Sequence, residues 1–199
     1  MVFVVFGVTA FLLGSIPTAY LAAKWAKGVD IRRYGSGNVG ATNALRVVGK
    51  GAGILVLLVD FLKGFAPVFM APFILEGSAV SKDWIPWFGF FPILGHIFSP
   101  FMGFKGGKGI ATGSGVLCAL YPILFLGVLV VWAAVFAGTR IVSVSSMVSV
   151  VTLAALGFFF RLPWQSRLFF MGVVGLTLWT HRENIKRLLK GEEHRFVSR

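Results

Sequence analysis

The chain predicts an all-α, polytopic membrane protein of about seven transmembrane helices, and three observations carry that prediction. Of its 199 residues, 57% are hydrophobic and 13% charged, where a soluble domain carries about a quarter charged. Several apolar runs reach the roughly 20 residues that a helix needs to cross a bilayer. The bases sit between these runs, the pattern of the positive-inside rule.

The apolar segments lie at 2–23, 52–75, 84–101, 107–138, 143–160 and 164–180. The first, MVFVVFGVTAFLLGSIPTAYLAA, has no basic region ahead of it and no small-residue cleavage site, so it reads as one retained helix and not a signal peptide. The second carries Asp60 and Lys63, spaced to pair on one helical face; charges at that depth are expensive and point to a partner or a cavity. The third ends near His96, which in an apolar run is expected to bond a backbone carbonyl. The fourth overshoots a bilayer of about 30 Å if it is one helix. Tyr121-Pro122 offers a break there, because proline removes a backbone donor and disfavours helix in the residue before it. Gly109 and Gly113 are spaced for close helix packing.

Charge decides the count. With the break there are seven spans, the N-terminus lies outside and the C-terminus is cytoplasmic. Fifteen of the 19 Lys and Arg then share the cytoplasmic face, in 24–50, 105–108, Arg140 and 181–199. Lys82, Arg161 and Arg167 lie outside, and Lys63 falls within a helix. Without the break, the basic C-terminal segment moves away from the other basic loops. Residues 1–199 read as a single integral-membrane domain. The net charge of +12 follows from these loops, so topology accounts for it and no nucleic-acid partner is expected. One cysteine, Cys118, leaves no intrachain disulfide and no cysteine metal cluster. Three scattered histidines and few carboxylates build no metal site.

The polar loops are dense in ligand-type residues. In DIRRYGSGNVGATNALRVVGKGAG, the turn Gly35-Ser36-Gly37-Asn38 can offer backbone N–H groups, a hydroxyl and an amide to one small ligand, with Asn43 and Arg46 following. Such a loop cannot lie bare against lipid, so it belongs at the interface or along a polar cavity. In GHIFSPFMGFKGGKGIATGSG, the glycines Gly103, Gly106, Gly107 and Gly109 let the backbone approach a ligand. Successive N–H groups can form an anion nest, a helix N-terminus follows, and Lys105 and Lys108 supply full charges. This chemistry suits a phosphate, although the loop is not a Walker A motif, since Gly109 stands where Ser or Thr should follow the lysine. In TRIVSVSSM, Arg140 and Ser143 share a short turn. In HRENIKRLLKGEEHRF, His181, Asn184 and Leu188 share one helical face. Plainer readings stand beside these. The lysines can snorkel to headgroups, Ser36, Asn38 and Asn43 can form turns and caps, and Ser143, Ser145 and Ser146 can bond carbonyls one turn back. Asp60 and Lys63 can be a structural ion pair.

Together these loops resemble one family over nearly the whole chain: the acyl-phosphate-dependent glycerol-3-phosphate acyltransferases of bacterial membranes, the PlsY type. GSGNVGATNALR carries Ser36, Asn38, Asn43 and Arg46. GHIFSPFMGFKGGKGIAT carries His96 and the core of Lys105, Gly106, Gly107 and Lys108. HRENIKRLLKGEE carries His181, Asn184 and a glutamate, Glu193, with Glu192 beside it. GSIPTAYL, DFLKG and RIVSVSS also resemble the family and bring in Asp60, Lys63, Arg140 and Ser143; Ile141 departs from it, standing where an aromatic is common.

The resemblance implies that a fatty acyl group passes from acyl-phosphate to the sn-1 hydroxyl of glycerol 3-phosphate, giving 1-acylglycerol 3-phosphate and phosphate. It implies no cofactor, membrane lipids as neighbours, a monomer in the bacterial cytoplasmic (inner) membrane and a site facing the cytoplasm. Ser36, Asn38, Arg46, Lys105, Ser143, His181 and Asn184 are the expected catalytic residues. Gly37, Asn43, Arg46, Gly103, Lys105, Gly106, Gly107, Lys108 and Gly109 are expected to hold phosphate, with Asp60, Lys63, His96, Arg140 and Glu193 in support. The alternative is a membrane transporter or binding protein for an organophosphate.

Overall fold

The computed structural model describes residues 2–74, 76–77 and 81–196. Leu75, at the end of the second apolar segment, and Arg199, one of the C-terminal bases, lie outside the described residues. Among the described residues every regular element is helical. Contacts divide the chain into two compact units, Met1–Leu120 and Tyr121–Arg199.

The first unit contains α1 (Val2–Ser15), α2 (Thr18–Lys27), α3 (Ala41–Val47), α4 (Lys50–Ile74), α5 (Ile85–Phe88), α6 (Phe90–Ile97) and α7 (Ile110–Leu120). The first apolar segment, expected as one helix, is two. Pro17 has no N–H to donate and disfavours helix at Ile16, so the chain unwinds there. The freed Ile16 carbonyl accepts a hydrogen bond from Lys63 Nζ at 3.0 Å. The unwound point thus meets the membrane-embedded cation of α4.

α1 packs along α6 and α4 along α7. Both pairs touch backbone to backbone at glycines. A Cβ on Gly14 would meet the backbone of Pro92, and one on Gly95 the carbonyl of Phe11. Between α4 and α7, a Cβ on Gly64 would meet the Thr112 carbonyl, and one on Gly115 the Phe61 carbonyl. Gly109 and Gly113, expected as the packing pair, face α6 instead of taking part in this backbone approach: a Cβ on Gly109, which sits at φ +80°, would lie 3.3 Å from side-chain carbons of Ile93 and Ile97, and one on Gly113 3.8 Å from Ile93 Cδ1. Each helix contributes one glycine to the approach, so spacing along one helix does not reveal it. Gly64→Leu is expected to push α4 from α7, an overpacking effect of about 1–3 kcal/mol, read as a lower unfolding temperature in detergent. An unchanged melt would show that the helices can separate freely.

A small core of Ala19, Ala23, Ile31, Val39, Ala44, Val56 and Met102 lies under the polar loops of this unit. It is built from α2, the 28–40 loop, α3, α4 and the turn Pro100–Met102, and so ties both loops to one apolar base.

Among the described residues, five helical stretches are long and apolar enough to cross a membrane: Val2–Lys27, Lys50–Ile74, Lys82–Met102, Pro122–Thr139 and Val142–Phe159. The fourth segment breaks where expected. α7 stops at Leu120, Tyr121 leaves the helical region at φ −143°, and α8 opens on Pro122. α7 has 11 residues, about 16 Å at 1.5 Å per residue.

The second unit contains α8 (Pro122–Thr139), α9 (Val142–Phe159), α10 (Trp164–Thr180) and α11 (Arg182–Leu189). α9 packs with both α8 and α10. Ser145 and Ser146 donate to the Ile141 and Val142 carbonyls, each at 2.9 Å, one turn back. Ser146 Oγ also accepts from Trp132 Nε1 at 3.3 Å. The turn between α8 and α9 is closed by Arg140 at φ 58°, and its carbonyl accepts from the Phe196 N–H at 2.6 Å.

Candidate active site

In the first unit the loop before α3 is organised by Asn43, 1% exposed. Its Oδ1 accepts from the Ser36 N–H at 3.0 Å. Its Nδ2 donates to the carbonyls of Ile31, Tyr34 and Asn38 at 3.3, 3.1 and 3.0 Å. The amide of Asn43, expected among the phosphate-binding residues, is engaged by the loop itself and so shapes the turn that displays Ser36. Gly35 permits this, because a Cβ there would overlap Asn43 Oδ1. The Ser36 and Arg46 side chains are exposed and Asn38 half-buried. Asp30 anchors the start of the loop: the Arg32 side chain bonds its carboxyl and holds its pKa at about 2.

The glycine loop after α6 is closed by its own backbone. The Gly106 N–H donates to the Ile97 carbonyl at 2.9 Å and the Gly107 N–H to the His96 carbonyl at 3.1 Å. The Gly37 N–H likewise donates to Tyr34 at 3.0 Å. These amides, with that of Ser36, are among those the sequence offered to an anion, and they are bonded within the loops. The glycines are present because of contact: a Cβ on Gly106 would meet the His96 carbonyl, and one on Gly107 would meet His96 Nε2 and the Val39 carbonyl. What the loop presents outward is side chain. Lys105 is exposed, Lys108 half-buried, and Phe101 and Phe104 are 62% and 64% exposed beside them. Phe104 holds φ 61°.

Asp60, Lys63 and His96 lie together below this loop. Lys63 Nζ is 2.8 Å from Asp60 Oδ1, and His96 Nδ1 is 3.9 Å from the same oxygen. The pairing expected from the spacing is present. His96, expected to bond a backbone carbonyl through its ring, has no hydrogen bond at Nδ1 among the described residues, because Asp60 faces it instead.

In the second unit Glu193 gathers the expected site residues. Its Oε1 accepts from Ser143 Oγ at 2.8 Å and Asn184 Nδ2 at 2.6 Å. Its Oε2 accepts from Arg187 Nε at 2.8 Å. Burial pushes its pKa up, but the bonds from Asn184, Ser143 and Arg187 outweigh that and leave it below the ordinary value. The neighbouring Glu192 is exposed, so Glu193 is the glutamate that does this work. Arg187, unremarked in the sequence, is its charged partner; it lies three residues after Asn184, a spacing that could have flagged it.

His181 stands at the corner between α10 and α11, 2% exposed. Its Nδ1 is 2.8 Å from the Thr177 carbonyl. A carbonyl only accepts, so Nδ1 carries the hydrogen and Nε2 is the basic atom of the ring. Arg140 is exposed. No cluster of His, Cys, Asp and Glu that could hold a metal occurs among the described residues.

Apolar helices joined by polar, basic loops, with the Asp60–Lys63 ion pair inside a spanning helix, define a multi-pass integral membrane protein. The family model for glycerol-3-phosphate acyltransferase matches residues 4–191. The glycerol-3-phosphate acyltransferase of Aquifex aeolicus is 44% identical, covering 94% of this chain and 95% of its own. That of Thermosynechococcus vestitus is 43% identical, covering 94% and 91%. Two crystal structures of PlsY, an integral membrane glycerol 3-phosphate acyltransferase, align over 98% of this chain and 95% of theirs at 40% identity. The glycerol 3-phosphate form has a TM-score of 0.90 and the lysophosphatidic acid form 0.87. The chain belongs to the glycerol-3-phosphate acyltransferase family.

Proposed function

We propose that this acyltransferase moves a fatty acyl group from acyl-phosphate to the sn-1 hydroxyl of glycerol 3-phosphate. The observation that carries the reading is the near-complete likeness to a solved acyltransferase whose crystal forms are named for glycerol 3-phosphate and lysophosphatidic acid. Seven spans, with the N-terminus outside and the polar loops at the cytoplasmic face of the inner membrane, accompany it. The 17-residue α10 and the 11-residue α7 then cross where the bilayer is thinned or packed against protein. The protein acts as a single-domain monomer without a cofactor.

Acyl-phosphate is a mixed anhydride with a good leaving group, so no covalent nucleophile is required. The glycerol hydroxyl oxygen attacks the acyl carbon, the bond from that carbon to the phosphate oxygen breaks, and phosphate departs. Holding the two substrates together supplies much of the rate, up to about 7–11 kcal/mol in well-oriented cases. Ser36, Arg46, Lys105 and Lys108 hold phosphate, and Asn38, Ser143 and Asn184 orient the reacting groups. His181 Nε2 receives the hydroxyl proton; the leaving phosphate is the competing acceptor. Gly37, Asn43, Gly103, Gly106, Gly107 and Gly109 set the loops that present these side chains, and Arg140 supports the site.

Purified protein in lipid, given palmitoyl-phosphate and glycerol 3-phosphate, should release phosphate and lysophosphatidic acid in equal amounts and do neither with palmitoyl-CoA. Phosphate without the lipid product would mean hydrolysis. No reaction from folded protein would return the organophosphate transporter. Lys105→Ala is expected to raise the glycerol 3-phosphate KM at least tenfold, about 1.4 kcal/mol. An unchanged KM removes Lys105 from the substrate.

A further inference from the structure

The buried group of Asp60, Lys63 and His96 takes no part in the proposed reaction, yet it is an unusual thing to keep inside a membrane. The three are 2%, 8% and 7% exposed. Buried ion pairs are weak sources of stability, and apolar replacements of similar volume are often as stable. The cluster therefore calls for a role other than holding helices together.

Its position supplies one. Lys63 ties Asp60 on α4 to the unwound Ile16 carbonyl after α1. Ser99, just beyond α6, donates to the Ser15 carbonyl at 2.6 Å, which fixes the end of α6 to the same unwound point. His96 sits between this base and the loop. Its Nδ1 faces Asp60, while its Nε2 lies so close to Gly107 that even a methyl group would overlap it. Its carbonyl and that of Ile97 hold the Gly107 and Gly106 amides. Lys63, His96, Ser99, Gly106 and Gly107, together with the apolar Ile16, Val39 and Met102, line a cavity of about 10 Å³, the room one water takes.

We propose that Asp60, Lys63 and His96 form the support on which the glycine loop rests, with His96 the positioning residue that fixes Gly106 and Gly107 and through them Lys105. The inference rests on the reading that this loop holds glycerol 3-phosphate. Charge and ring together fix the loop from beneath.

Amide hydrogen exchange of the segment 103–112 tests the support apart from catalysis. In full-length His96→Ala protein in lipid, the Gly106 and Gly107 amides should exchange at least tenfold faster than in the wild type, with exchange in α11 unchanged. The KM for glycerol 3-phosphate should rise at least fivefold while kcat changes less than threefold. Asp60→Asn combined with Lys63→Met, which removes the charges as a pair, should give the same pattern and covers the case in which His96→Ala fails to fold. Unchanged exchange in a folded variant overturns the proposal, whatever happens to activity. Faster exchange with an unchanged glycerol 3-phosphate KM leaves the support standing and removes the loop from the substrate.

Discussion

Replacing Glu193 by alanine is expected to lower kcat/KM at least a hundredfold, about 2.7 kcal/mol of transition-state stabilisation. One carboxylate accepts from Ser143, Asn184 and Arg187. Removing it leaves a buried amide and hydroxyl without their acceptor and a guanidinium without its counter-ion, each a cost of about 1–3 kcal/mol. Two of those three groups are proposed to orient substrate, so the loss reaches the reaction through them. Glu193→Gln keeps the shape and the acceptor oxygen but not the charge, and should fall between the two. The depressed pKa gives a second readout with a definite sign. A carboxylate whose folded pKa lies below its ordinary value of 4.5 contributes stability that is present above that value and lost as the pH falls through the folded pKa. The gap in unfolding temperature between wild type and Glu193→Gln should therefore be full at neutral pH and close as the medium is acidified below about 4.5. A Glu193→Ala enzyme with near-normal turnover would show that Ser143 and Asn184 need no anchor.

His181→Ala is expected to lower kcat by about 10²–10⁴, the range of a positioned general base, with a much smaller change in either KM. The Thr177 carbonyl fixes the hydrogen on Nδ1, which leaves Nε2 to take a proton. His181→Gln, which can hydrogen-bond but not accept a proton at neutral pH, separates the two roles. If glutamine restores kcat to within threefold, His181 orients the substrate and the departing phosphate takes the proton itself. If glutamine is as slow as alanine, the ring is the base. Steady-state rates across pH 5.5–8.5 complete the test, since loss of the base should remove the acid limb of the profile.

The helical class, the break at Tyr121-Pro122 and the Asp60–Lys63 pair were legible because each follows from a rule acting over a few neighbouring residues. The break at Pro17 follows from the same proline rule, but the apolar run around it masked the signal. The packing glycines were not legible. Gly64 and Gly115 lie on different helices, and no pattern within one helix records a meeting between two. The site residues divide in the same way. Ligand-type side chains stood out by composition, but whether an amide faces a ligand or its own loop depends on contacts across many residues. Asn43 and Gly107 have the look of ligand groups, and contacts with Ile31, Tyr34, Asn38 and His96 hold them, which no local pattern records.

Phe104 and Arg140 stand in the left-handed region of backbone space, at φ 61° and 58°. A side chain there costs about 1–2 kcal/mol, and the chain uses glycine at comparable turns such as Gly28 and Gly103. A protein selected only for durability would carry glycine at both positions. This one keeps an aromatic ring next to Lys105 and a guanidinium at the close of α8. An effort to harden the enzyme would turn to such positions, and each glycine gained there would remove a ring or a guanidinium that the chain keeps at a conformational cost.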